Sequence, residues 1–176
     1  MDAELLFEKV YINSELADQV CAEFKIKRGE LTDFTKKYGL ERADEIKKIQ
    51  RIRGLFHSKK GSPSFGFTSF NSFYKWYIAQ HKKQDGACYY CKTDEHVIAT
   101  LVEKKFNQSK RIRGRYLEIE RRDSAVNTYS PENCVLACYF CNNDKSDIFE
   151  EGDYLAYLKD RKAFFDTKFE EFNDIK

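Results

Sequence analysis

Cys134-Val135-Leu136-Ala137-Cys138-Tyr139-Phe140-Cys141-Asn142-Asn143-Asp144-Lys145-Ser146 passes from a short apolar run through a C-x2-C turn into a polar, helix-compatible segment. The same turn occurs upstream as Cys88-Tyr89-Tyr90-Cys91, and residues 92–137 separate the two. A C-x2-C turn can set two thiolates at adjacent corners of a tetrahedron, with Zn–S at about 2.3 Å. Two such turns supply four sulfurs and leave no open position, so Cys88, Cys91, Cys138 and Cys141 are expected to hold one structural zinc ion. The competing uses are a redox-active C-x-x-C or cysteines paired by chance. The strand–C-x-x-C–helix setting of the thioredoxin kind is not evident. Cys21 and Cys134 lack a pair and read as small core residues.

Working outward, Val135–Ala137 fits a short strand, and the segment from Phe140 to Phe149 fits a helix that begins at the second cysteine pair. Ser130-Pro131-Glu132-Asn133 is a turn. Before it, Tyr116–Glu120 alternates apolar and polar residues as a short strand does. Asp94 is placed to cap a helix containing Val97, Leu101, Val102 and Phe106, and residues 107–114 form a basic loop. Asp85-Gly86 ends a helix whose aromatic face carries Phe70, Phe73, Trp76 and Tyr77. Ser58–Gly66 reads as a linker. The first part of the chain has helical periodicity: Leu5, Leu6, Val10 and Tyr11, then Leu16, Val20 and Phe24. Ser14 is an expected N-cap, and Gly29 and Gly39 are expected breaks. Tyr154, Leu155, Leu158, Phe164 and Phe165 mark helix near the end. This predicts a mainly helical α+β fold in two parts, a helical region over 1–60 and a zinc-stapled domain with flanking helices over 67–176.

The 176 residues carry 34% charged side chains, yet 15 Phe, 11 Tyr and one Trp provide for a core. Two Pro and eight Gly argue against a disordered or repetitive chain. The net charge of +2 says little about partners; its distribution says more. Residues 47–60 carry six Lys/Arg and no acid, and residues 104–122 carry eight against Glu118 and Glu120. Basic runs interleaved with aromatics suit a polyanion, and equally a solvated surface. No apolar run is long enough to span a bilayer, so no membrane partner is expected. MDAELLFEKV is acidic and amphipathic, unlike a signal peptide, and a cytoplasmic protein with reduced cysteines is expected.

Three segments together resemble the HNH, or ββα-metal, endonucleases. They are Leu117–Asp123 (LEIERRD), Tyr129–Cys138 (YSPENCVLAC) and Tyr139–Ser146 (YFCNNDKS). The pattern of that family is a C-x2-C pair, a strand ending in Asp-His, an Asn in the connecting loop, and a second C-x2-C followed at once by His or Asn, with Lys three residues on. The resemblance covers roughly residues 86–150 and is closest to zinc-knuckle, phage-type members; a phage-encoded protein acting in a host cell would fit. Residues 1–60 match no known pattern.

The resemblance implies a small ββα module and hydrolysis of DNA phosphodiester bonds, on duplex or branched DNA, with a homodimer left open. Glu120 stands at the Asp position and Asn142 at the last His position, where they would bind a catalytic Mg²⁺ or Mn²⁺. Asn133 matches the Asn that holds the loop. Lys145 would face a phosphate, and Lys110, Arg111, Arg113 and Arg115 would contact nucleic acid. The departure is Arg121, which stands where most members have the histidine base. Arginine stays protonated and cannot accept a proton at neutral pH. Either this is a variant active site, in which Arg121 steadies the phosphate and Asp123, a histidine from elsewhere (His57, His81 or His96) or metal-bound hydroxide supplies the base, or catalysis is lost and the module binds nucleic acid or a protein without cutting.

Overall fold

The computed structural model describes residues 2–62, 64–106 and 114–173. They divide into two compact units, one of residues 1–61 and 67–75, the other of residues 62–66 and 76–176. Among the described residues no helix is long and apolar enough to cross a membrane.

The first unit is helical. Helix α1 (Ala3–Phe7) starts where the Asp2 carboxylate accepts the amides of Glu4 and Leu5 at 3.0 and 3.1 Å, satisfying two orphan N–H groups. The chain continues as a π-helical turn over Glu8–Asn13, and Arg53 donates to the carbonyls of Tyr11 and Ile12 at its end. Ser14 does not cap the next helix. It takes a left-handed φ of 54° that ends the π turn, and α2 (Ala17–Phe24) begins three residues later. Helices α3 (Arg28–Glu41) and α4 (Ala43–Lys60) pack on each other. Gly29 and Gly39 lie inside α3 and do not break it. The Glu30 carboxylate holds the α3 start by accepting the Lys27 amide at 2.7 Å, and buried Leu31 and Phe34 anchor it. Tertiary burial here outweighs a glycine cost of about 1 kcal/mol. Residues 58–60, expected in a linker, complete α4. Leu6, Phe7, Val20, Ile49, Ile52, Phe56, Phe67, Phe70 and Phe73 fill the core.

Helix α5 (Phe70–Lys83) contributes its first residues to this unit and Trp76–Lys83 to the other. Asp85 and Gly86, at φ 52° and 71°, turn the chain out of it. In the second unit α6 (Glu95–Leu101) runs on as a π-helical segment, Val102–Phe106. Strands β1 (Glu118–Arg121) and β2 (Cys134–Ala137) form one antiparallel pair, with Glu118 opposite Ala137 and Glu120 opposite Val135. The fold is therefore α+β, mainly helical with a small sheet. Gln84 behaves as a third strand: its side-chain amide donates to the Leu136 carbonyl at 2.8 Å and accepts the Leu136 amide at 3.0 Å. Tyr77 donates to the Leu117 carbonyl from α5.

After β2 comes α7 (Tyr139–Lys145), which packs on β1. It ends four residues before Phe149, because Ser146 takes φ 51°. Helices α8 (Glu151–Tyr157) and α9 (Arg161–Asn173) follow, and α9 packs on α6. Cys134 is buried, as a core cysteine should be, but Cys21 is half-exposed.

Candidate functional site

Four buried sulfurs, those of Cys88, Cys91, Cys138 and Cys141, lie within 4.8 Å of one another. A tetrahedron with Zn–S near 2.3 Å has edges of about 3.8 Å, and the Cys91 and Cys138 sulfurs are 3.9 Å apart. The first turn is shaped by Lys92 in a left-handed conformation at φ 58°, whose amide bonds the Cys88 carbonyl. It is fastened to β2 by the Tyr89 amide on the Leu136 carbonyl. In the second turn the Cys138 amide donates to Cys88 Sγ at 3.2 Å, and the Cys141 amide to Cys138 Sγ. Burial pushes the Cys88 thiol well above its ordinary range. A dry cluster of thiols resists ionisation unless a cation sits among them, and N–H···S bonds together with a nearby guanidinium favour thiolates. Arg161 reaches Cys141 Sγ at 3.8 Å and is held by Asp144 at 2.5 Å. The donor set suits a structural metal of the zinc type.

The cluster ties the Cys88–Cys91 turn to the junction of β2 and α7, and β1 joins them through its ladder to β2 and its packing on α7. Side chains alternate along β1, so Glu118 and Glu120 share the face toward α7 while Leu117 and Ile119 enter the core. Asn142 Nδ2 donates to Glu118 Oε2 at 2.7 Å. One turn on, Lys145 Nζ lies 3.4 Å from Glu120 Oε1. Burial pushes the Glu120 carboxyl up to about 7, although Lys145 and Arg121 oppose the shift. Asn142 thus meets Glu118, which the sequence pattern does not single out, while Glu120 on the same strand face meets Lys145. The two-residue spacing along a predicted strand was the signal for Glu118.

Lys145 does not reach the surface. It is fully buried, and its ammonium also donates to the Arg121 carbonyl and Ser124 Oγ, both at 3.1 Å. Arg121 rests over the Tyr129 ring, bonds Asn127 Oδ1, and pairs with Asp147 at 2.5 Å. Its side chain is 13% exposed, against 76% for Asp147. Arg122 faces away, in a two-bonded pair with Glu151 at 2.6 and 2.7 Å.

The loop between the strands is organised by Asn133. Its side chain accepts the Asp123 amide at 2.9 Å and donates to the carbonyls of Asp123 and Thr128. Asp123 in turn accepts the amides of Ala125 and Val126. The histidines are dispersed: His81 pairs with Glu95 at 2.7 Å, His96 stands edge-on to Phe169, and His57 belongs to the first unit. Arg115 pairs with Glu103 at 3.1 Å. Lys110, Arg111 and Arg113 lie outside the described residues.

No protein-family pattern matches this sequence, and no curated protein does. Among solved structures, the chain is similar to PacI, a rare-cutting HNH restriction endonuclease described as perturbing DNA. The two align with a TM-score of 0.51 at 22% identity, over 66% of this chain and 77% of PacI. At this identity the likeness establishes a shared HNH-type fold.

Proposed function

We propose that this chain is a metal-dependent endonuclease of the HNH type that hydrolyses DNA phosphodiester bonds. The observation that carries the reading is the hydrogen bond from Asn142 on α7 to Glu118 on β1, with Glu120 on the same face of the strand, in a ββα unit whose β2–α7 junction carries two of the four clustered cysteines. Two carboxylates and an amide carbonyl are the oxygen donors a hard divalent cation takes. The bound cation would polarise the phosphodiester and stabilise the charge developing on the leaving oxygen. Glu120 and Glu118 would hold it from the strand and Asn142 from the helix. Asn133 fixes the loop that follows β1, and through it the end of the strand. Arg121, displaced from Asp147, would clamp the scissile phosphate with its planar fork.

One observation favours the second reading, a module that binds nucleic acid and cuts nothing. Glu120 is already paired with a buried lysine, which competes with a cation for its oxygens. A plasmid-nicking assay with and without added Mg²⁺ or Mn²⁺ decides between the two. Metal-dependent nicks that vanish in Glu120→Ala and Asn142→Ala proteins, with bound zinc unchanged, support the enzyme. Binding without cleavage of duplex, branched or single-stranded DNA supports the module.

A further inference from the structure

Helix α4 buries Ile49, Ile52 and Phe56 on one side. On the opposite side Lys47, Gln50, Gly54, His57 and Ser58 are exposed, and Arg51 among them is half-buried. From Ile46 to Lys60 the helix contains no acid, and Lys48 and Lys59 add charge along one edge. Gly54 sits at the centre of this solvent face. A Cβ built there meets nothing within 4 Å, so no packing inside the protein requires a glycine. Glycine in the interior of an exposed helix is unfavourable, and alanine would serve the fold better. Gly29 and Gly39 in α3 are as open, but Gly54 lies in an acid-free basic stretch, where glycine also lets the helix backbone approach a polyanion closely.

We propose that this face of α4 docks on duplex DNA, with Gly54 at the point of closest approach. A helix of 18 residues fits the major groove, where Gln50 can read base edges and Lys47 can reach phosphates. The Lys47–Asp44 pair is 73% and 97% exposed, worth little, and readily exchanged for a phosphate. Insertion into a lipid surface would need an apolar face outward, and the apolar residues of α4 point into the core. The inference needs binding only and stands apart from hydrolysis in the second unit.

The test is fluorescence anisotropy of the full chain on a random-sequence duplex, in buffer without added Mg²⁺ or Mn²⁺. Gly54→Gln should keep or raise the thermal midpoint while weakening DNA binding by about 10-fold or more. Opposite signs in stability and binding separate a docking role from a folding role. Lys47→Ala should flatten the slope of log K against log salt by about 0.9, the share of one phosphate. The proposal is overturned if both variants bind duplex with wild-type affinity and slope, or if the chain binds anionic phosphatidylserine vesicles and not duplex. Failure of the hydrolysis reading looks different: these binding effects persist and no metal restores cutting.

Discussion

Lys145 Nζ meets Glu120 Oε1 at 3.4 Å in a place where the lysine side chain has no exposure and the glutamate only 11%. A charge pair this dry is held by its extra hydrogen bonds as much as by Coulomb attraction, and Lys145 has two, to the Arg121 carbonyl and Ser124 Oγ. It therefore joins the end of β1, the following loop and the last turn of α7. Lys145→Met should destabilise the second unit by about 3 kcal/mol, because it strands a buried carboxylate. Combining it with Glu120→Gln should recover most of that loss, since no charge then remains unpaired. Chemical denaturation of the single and double variants checks this. Equal losses in Lys145→Met and the double variant would show that the pair is not coupled.

The same carboxyl predicts a pH dependence. Burial raises Glu120 from the ordinary 4.5 to about 7 in the folded chain. The folded state thus binds this proton more tightly than the unfolded state does. Its contribution to stability is greatest below about 4.5, falls as pH rises through the window to about 7, and is flat above that. Glu120→Gln should remove this falling component. Zinc release at low pH affects both proteins alike, so the difference between their stability curves isolates Glu120. Parallel curves between pH 5 and 7.5 would count against a raised carboxyl.

Removing the metal should unfold the second unit. Its two-stranded sheet is too small to be stable unaided, and the cluster holds the end of β2 and α7 to the Cys88–Cys91 turn. One equivalent of zinc per chain is expected. Chelation or Cys88→Ser should abolish the cooperative transition of this unit and leave the far-ultraviolet helical signal of the first largely intact. Metal analysis with circular dichroism measures both, and a chelated protein that melts as before would refute the role.

Much of this architecture is legible in the sequence because its causes are local. Cysteine spacing marks the two turns whose sulfurs cluster, Asp85-Gly86 marks the end of α5, and alternation marks β1. What escapes the sequence depends on contacts between elements. Gly29 and Gly39 look like breaks, but buried Leu31 and Phe34 hold α3 together across them. Lys145 looks like a phosphate ligand, yet the way α7 lies on β1 carries its ammonium inward to Glu120. The same packing brings Asn142 to Glu118, a partner two residues from the one expected. Ser14 has the chemistry of an N-cap but sits where a π turn must reverse.

Asp147 pairs with Arg121, the guanidinium proposed to clamp a phosphate. It is the exposed member of the pair, so the cost of displacing it is small. Asp147→Asn should strengthen DNA binding by about 3- to 10-fold at low salt. The gain should disappear in an Arg121→Ala background. A double-mutant cycle on measured affinities is the check. A gain that survives the loss of Arg121 would reflect net charge alone.

The proposed hydrolysis makes the strictest demand, because it assigns roles to Glu118, Glu120 and Asn142 together. Glu118→Ala, Glu120→Ala and Asn142→Ala should each retain one zinc and a cooperative transition, yet lose metal-dependent nicking by about 100-fold or more, since each removes an oxygen donor or its positioning partner. Glu118→Gln separates two roles. If Glu118 only orients Asn142, a glutamine that still accepts its Nδ2–H should keep most activity, with the metal requirement unshifted. If Glu118 binds the cation, half-saturation should move to higher Mg²⁺ concentration. Glu120→Asp keeps the charge but draws the carboxylate back from Lys145 by one methylene, so it should still cut. Arg121→His distinguishes the two readings of the departure from the HNH pattern. Loss of activity means that the guanidinium clamps phosphate; a gain means that the missing base was the defect. Wild-type protein that nicks no DNA with Mg²⁺ or Mn²⁺, while the Ala variants still bind it as wild type does, would leave the binding module as the account of the cluster.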